Sequence, residues 1–152
     1  MSNKLVLTVD SNHFLHTTLG IMGSYSKGSK LFLKSSDEEE RRQDTNAFLE
    51  KLTQIFAKDM RNLGGLIDEV VFTVDDSRSW RKDHFEYRDY LGIPSALDYK
   101  GTRSKDKEID WNTIYETFNN FIKGVCLASG ANTKSIEGCE ADDLVFAVAS
   151  LY

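Results

Sequence analysis

The sequence predicts an α/β protein, a parallel sheet flanked by helices. Three observations predict it. Two short apolar runs, LVLTV at 5–9 and VVFTV at 70–74, are rich in β-branched residues, and each leads directly into an aspartate, Asp10 and Asp75. Runs this short and this uniformly apolar suit strands covered on both faces. Stretches with a helical apolar period lie between and after them, and strands that alternate with helices build parallel sheets with helices on the faces. The 152 residues match one domain, and a chain of about this length removes roughly two-thirds of its unfolded surface from water.

The elements follow in order. After the first strand, Ser11 and Asn12 are placed to cap a helix carrying Phe14, Leu15, Thr18 and Leu19. Residues 23–36, rich in Gly, Ser and Lys, read as a loop with a brief extended piece at 31–33. From Asp37 the pattern turns helical: the acids DEEE suit the positive end of the helix dipole, and Phe48, Leu49, Leu52, Ile55, Phe56 and Met60 form one stripe. Gly64 and Gly65 end that helix before the second strand. Residues 76–110 are polar, weakly periodic and hold the only proline, Pro94. An excursion of that length, expected to be partly helical, is a functional candidate. A strongly amphipathic helix begins at Trp111 and carries Ile114, Tyr115, Phe118, Phe121, Ile122 and Val125. Residues 132–136 are a short strand of poor composition, and 140–152 a last helix with Leu144, Val145, Ala147, Val148 and Leu151. No internal repeat or low-complexity block appears.

Composition narrows the function classes. An aromatic content of 11% supplies too much burial for a solvating, disordered chain. No run reaches the ~18–20 apolar residues of a membrane span, and the start MSNKLVLTVD lacks a signal-peptide pattern, so no membrane association is expected. Cys126 and Cys139 make no disulfide framework, and an intracellular setting is expected. The net charge of -5 weighs against a nucleic-acid binder as a whole. Its distribution weighs the other way. Residues 78–107 hold eight basic and five acidic residues, +3 for the segment and -8 for the remainder, and a locally basic stretch can attract a polyanion.

In parallel sheets ligands bind beyond the carboxyl ends of the strands. Both apolar runs lead into an aspartate there, and Glu140, Asp142 and Asp143 open the last helix within EGCEADD. If the strands are neighbours, five carboxylates converge at one edge, and their repulsion calls for cations. Mg²⁺ or Mn²⁺, which prefer oxygen ligands, fit best, and two such ions ~3.5–4 Å apart support phosphodiester hydrolysis. Each cluster alone has an ordinary reading: Asp10 as a cap or turn residue, the EADD acids as complements to a helix dipole. The three clusters together favour the metal. His13 and His16, at i and i+3, have no third ligand to complete a zinc set. His84 reads as a surface residue, the cysteines as small buried apolar groups, and no Gly-rich phosphate loop or nucleophile elbow is present.

The segments VDSN at 9–12, FTVDDSRSWRKD at 72–83, DYKGTR at 98–103 and EGCEADD at 137–143 in this order resemble the 5′-nuclease (flap endonuclease) family. The likeness is closest to its phage ribonuclease H branch and runs over nearly the whole chain. It implies a PIN-like, Rossmann-like parallel sheet with a basic helical arch over about 76–110. It also implies a metal-dependent 5′→3′ phosphodiester hydrolase, acting on RNA primers or 5′ flaps in phage DNA replication. By motif match, Asp10, Asp75, Glu140, Asp142 and Asp143 would hold Mg²⁺ or Mn²⁺ directly or through water. Lys100 and Arg103 would neutralise the scissile phosphate, a catalytic role that fixed cations serve well. Tyr99 would stack on a splayed base, and Arg81 with Lys82 would contact backbone phosphates. The implied partner is DNA or RNA/DNA with a 5′ end or flap, inside a host cytoplasm.

Two departures qualify the match. Extra residues around RDYLGIPSALD at 88–98 imply an arch that is longer or differently shaped. The family also carries a further strand with a second aspartate cluster and a helical hairpin that grips duplex DNA, and neither has a counterpart in residues 1–152. The resemblance therefore implies the amino-terminal part of a catalytic domain, with an incomplete sheet and an incomplete two-ion site, weak or inactive alone. Its partner is expected to be a carboxy-terminal nuclease fragment or another copy. The rival expectation is a non-catalytic module that keeps the fold to bind nucleic acid or a replication protein. A small stand-alone ribonuclease of the PIN type is disfavoured by the long basic excursion.

Overall fold

A computed structural model describes residues 4–23, 31–63, 65–76 and 108–150. In chain order these form β1 (Val6–Asp10), α1 (Ser11–Ile21), α2 (Glu38–Leu63), β2 (Glu69–Thr73), α3 (Trp111–Ser129), β3 (Asn132–Lys134) and α4 (Ala141–Ala149). The strands make one parallel sheet in the order β1-β2-β3. The expected α/β architecture, a parallel sheet flanked by helices, is present.

Strand β2 is the central strand of the three. Val71, Phe72 and Thr73 are all buried, whereas β3, of poor strand composition, is exposed along its length. Alternation along the pleat divides the faces. Val9, Val70 and Phe72 point into an aromatic core under α1, α2 and α3. There Phe56 meets Phe72 with ring centroids 5.8 Å apart and Phe121 at 6.3 Å, and Phe14 of α1 meets Phe118 at 6.1 Å. Val71 points to the opposite face. That face is covered by α4, which packs on β1 and β2 and buries Ala141 and Leu144.

The helix ends show why each element starts and stops. Asp10 is the last residue of β1 and also the N-cap of α1, accepting the His13 N–H at 2.9 Å. The expected caps Ser11 and Asn12 lie one and two residues inside the helix, because the strand extends one residue further than its apolar run. Ser11 joins the buried stripe with Leu15, Thr18 and Leu19. On α2 the first turn carries Glu38, Glu39 and Glu40, and Phe48 and Leu52 are buried as the stripe predicts. Helix α3 is capped by Asp110 and ends at Gly130, whose φ of 70° lets its N–H return to the Cys126 carbonyl at 3.0 Å. A side chain at that left-handed position is strained.

The extended piece expected at 31–33 shrinks to an isolated antiparallel bridge between Leu33 and Ile109. The Lys34 N–H donates to the Glu108 carbonyl at 2.9 Å, and the Asp110 N–H to the Phe32 carbonyl at 2.7 Å. This contact ties the entry of α3 to the segment before α2. Of the long excursion, residues 77–107 lie outside the described residues, and with them Arg81, Lys82, Tyr99, Lys100 and Arg103. Among the described residues no helix is long and apolar enough to cross a membrane.

Candidate functional site at the carboxyl edge of the sheet

Parallel pairing puts the carboxyl ends of β1 and β2 side by side, with Asp10 opposite Thr73 in register. Beyond Thr73 the chain runs on through Val74, whose N–H donates to the Lys134 carbonyl at 2.9 Å, and reaches Asp75. The half-buried Asp75 carboxylate is the junction of the edge. One oxygen accepts a hydrogen bond from the Asn12 side-chain amide in the first turn of α1, and the other accepts the Ala141 N–H at the start of α4 at 2.7 Å. Its partners lie 63 and 66 residues away in sequence.

The neighbouring Asp76 holds the turn that precedes α4. Its carboxylate accepts the Gly138 N–H at 2.8 Å, and its own N–H donates to the Cys139 carbonyl at 3.0 Å. Together, Asp75 and Asp76 position the EGCEADD segment against the end of β2. Within that segment Glu140 is the N-cap residue of α4 and only 6% exposed. The Asp143 carboxylate reaches back to the Glu140 N–H at 3.0 Å, while Asp142 is exposed and accepts the Asp143 N–H at 2.9 Å.

Asp10, Asp75 and the acidic start of α4 are therefore brought to one edge, as the strand pattern predicts. Their side chains do not close into one cluster. Among the described residues no three Asp, Glu, His or Cys side chains form a group able to hold a metal ion. The physical reason is visible in the bonds: Asp10 and Asp143 accept N–H groups of helix first turns, and Asp75 accepts from both helices that flank it. The donor chemistry, carboxylate oxygen throughout, suits a hard divalent cation. The arrangement of those donors is that of caps and tethers. No step through a metal follows from it.

The sequence offers Ser11 and Asn12 only as helix caps and gives Asp76 no role of its own. Asp76 stands in the acid doublet that follows β2, a signal that Asp75 overshadows. Asn12 belongs to VDSN but reads locally as a cap. Ser11 is 3% exposed, and its hydroxyl has no hydrogen-bond partner among the described residues. Such orphaned buried groups are uncommon. The ring of His16 lies 5.9 Å from that of Trp111. Burial pushes the Cys126 thiol above its ordinary range, which leaves it less reactive.

No protein-family model, curated protein or solved structure matches this chain.

Proposed function

We propose that the chain is the amino-terminal part of a PIN-like, divalent-metal-dependent 5′→3′ nuclease of the phage ribonuclease H type, acting on RNA primers or 5′ flaps. The observation that carries this reading is the Asp75 junction, which ties the end of β2 to the first turns of α1 and α4 beside Asp10. Parallel pairing brings the three carboxylate-bearing segments to the sheet edge at which α/β folds bind their ligands.

In this reading Asp10, Asp75, Glu140, Asp142 and Asp143 are the protein's donors for Mg²⁺ or Mn²⁺. When bound, the ions supply a nucleophilic hydroxide and charge relief at the phosphate. Asn12 is a positioning residue: by donating to Asp75 it fixes the carboxylate against α1. Lys100 and Arg103, by the resemblance alone, add positive charge where phosphoryl oxygens gain negative charge. Five carboxylates are fewer than the two-cluster set that the resemblance implies, so the chain alone is expected to bind metal weakly and cut poorly. Further carboxylates supplied from another polypeptide would be expected to strengthen both.

A 5′-labelled flap duplex and an RNA–DNA hybrid, each incubated with the 152-residue chain and Mn²⁺, test this. The expected outcome is weak, saturable Mn²⁺ binding that Asp75→Asn abolishes, with little cleavage until a complementing polypeptide is added. Vigorous EDTA-sensitive cutting by the chain alone overturns the need for a complement. One observation favours the rival, a non-catalytic binding module: the carboxylates are engaged as caps rather than gathered. Nucleic-acid binding with no detectable Mn²⁺ binding, unaffected by Asp10→Asn with Asp142→Asn, would select that reading.

A further inference from the structure

We infer that β3 is a self-association edge: two copies of the chain pair antiparallel through Thr133 of each and join their sheets. The inference stands on the sheet alone and does not use the nuclease reading.

The open edge follows from the ladder. The Val74 N–H donates to the Lys134 carbonyl at 2.9 Å, so the backbone groups of Lys134 face β2, and by alternation those of Thr133 face away. Thr133 is exposed, as are Asn132 and Lys134 on either side, and its N–H and C=O have no partner among the described residues. A residue that presents both groups outward is the unit of a hydrogen-bonded antiparallel pair, in which opposite residues exchange two bonds. Two Thr133 residues related by a twofold axis satisfy each other in that way.

The occupant is a second copy because the side chains match under the same axis. With Thr133 opposite Thr133, Lys134 of one copy faces Asn132 of the other, in a non-hydrogen-bonded pair whose side chains lie close. Asn132 donates to the Glu69 carboxylate at 2.8 Å, so each Lys134 is brought to a carboxylate of the second copy. Within one chain those two charges stand apart. Lys134 pairs with Thr73, four residues along β2 from Glu69, or about 13 Å at ~3.3 Å per residue. The apolar groups match as well. Leu127, 89% exposed, precedes β3 near the end of α3, and Ile136, 55% exposed, follows it. Antiparallel pairing sets the residues after one β3 beside those before the other, so Ile136 approaches the helix end that carries Leu127, twice over. The same pairing points the two carboxyl edges in opposite directions, and a copy bound here brings no carboxylate to the other's Asp75.

Sedimentation velocity of the full chain from micromolar to millimolar concentration tests the edge. The parent is expected to pass from monomer to dimer within that range, as befits an interface of few residues. Thr133→Pro removes the outward donor and spares the ladder to β2, the position at which edge strands accept proline. Dimer affinity is expected to fall about tenfold or more, since two bonds are lost. Lys134→Glu sets like charges together and is expected to cost about fivefold at low salt, and adding Glu69→Lys is expected to restore the affinity. Circular dichroism checks that each variant folds; if Thr133→Pro does not, the charge reversal and its rescue carry the test. A parent that stays monomeric at millimolar concentration overturns the inference. So does a dimer indifferent to the folded Thr133→Pro, or to Lys134→Glu. A loss in Lys134→Glu that Glu69→Lys fails to restore overturns the register about Thr133.

Discussion

The two sides of β2 are built on different principles. Toward α1, α2 and α3, Phe72 enters a core of packed aromatic and aliphatic side chains, so position is set by shape and shared among many contacts. Beyond the carboxyl end of the same strand, Asp75 and Asp76 set position through a handful of directed hydrogen bonds to Asn12, Gly138 and Ala141. Packing is redundant and tolerates no loss of volume. Directed bonds are few, and each can be removed without opening a cavity. A site that must accept a ligand needs the second kind of construction, since bonded carboxylates can exchange partners and close-packed rings cannot.

The largest effect is expected where the first principle operates alone. Phe72 is fully buried at the centre of the sheet. Phe72→Ala is expected to cost about 3–5 kcal/mol, from lost burial plus the cavity left behind. Urea denaturation checks this. A loss below ~1 kcal/mol would mean that the core on this side collapses around the gap and is not a rigid support.

A smaller effect tests the second principle. Asp75→Ala removes the acceptor for the Asn12 amide and the Ala141 N–H, and is expected to destabilise by ~1–3 kcal/mol. Hydrogen exchange should localise the damage, with faster exchange at the start of α4 and little change in β2. If α4 keeps its protection, Ala141 and Leu144 on the sheet hold it unaided, and Asp75 is free of any structural duty. In that case a loss of Mn²⁺ binding in Asp75→Asn reports directly on the metal.

This contrast also explains what could be read in advance. The strands, the aromatic stripe of α2 and the helix from Trp111 follow from apolar periodicity, because burial of one face is what those elements do. The convergence of Asp10, Asp75 and the EADD segment also follows, since strand order and parallel pairing decide it. The roles of the individual side chains did not follow. The sequence offers Asp10, Ser11 and Asn12 all as caps, and the choice of Asp10 is settled by its pairing with Thr73 at the end of β1. The Asn12–Asp75 bond joins residues 63 apart, and no local pattern encodes it. The bridge from Leu33 to Ile109 is likewise a tertiary contact of two segments that read as loop.

The smallest effect concerns a cap far from the carboxylate edge in function but made by the same kind of bond. The Asp110 carboxylate accepts the Thr113 hydroxyl at 2.9 Å and the Thr113 N–H at 3.3 Å at the start of α3. The Thr113 hydroxyl is the main reason its carboxyl stays below the usual aspartate range. The folded form therefore prefers the ionised acid more than the unfolded chain does. Its stabilisation is fully present above the unfolded aspartate value of ~3.9 and fades as the pH falls from there through the lower folded value. Asp110→Ala is expected to cost about 1 kcal/mol at neutral pH, and the difference from the parent should narrow in that acid window. Asp110→Asn separates cap from charge, because asparagine caps about as well as aspartate but does not titrate. Melting curves at neutral pH and in the acid window, for parent and both variants, make the measurement. Asn should lie near the parent at neutral pH and lose less on acidification. If Asn instead falls with Ala at both, the charge rather than the geometry holds this helix end, and the division between packed and bonded regions would need an electrostatic term on the bonded side.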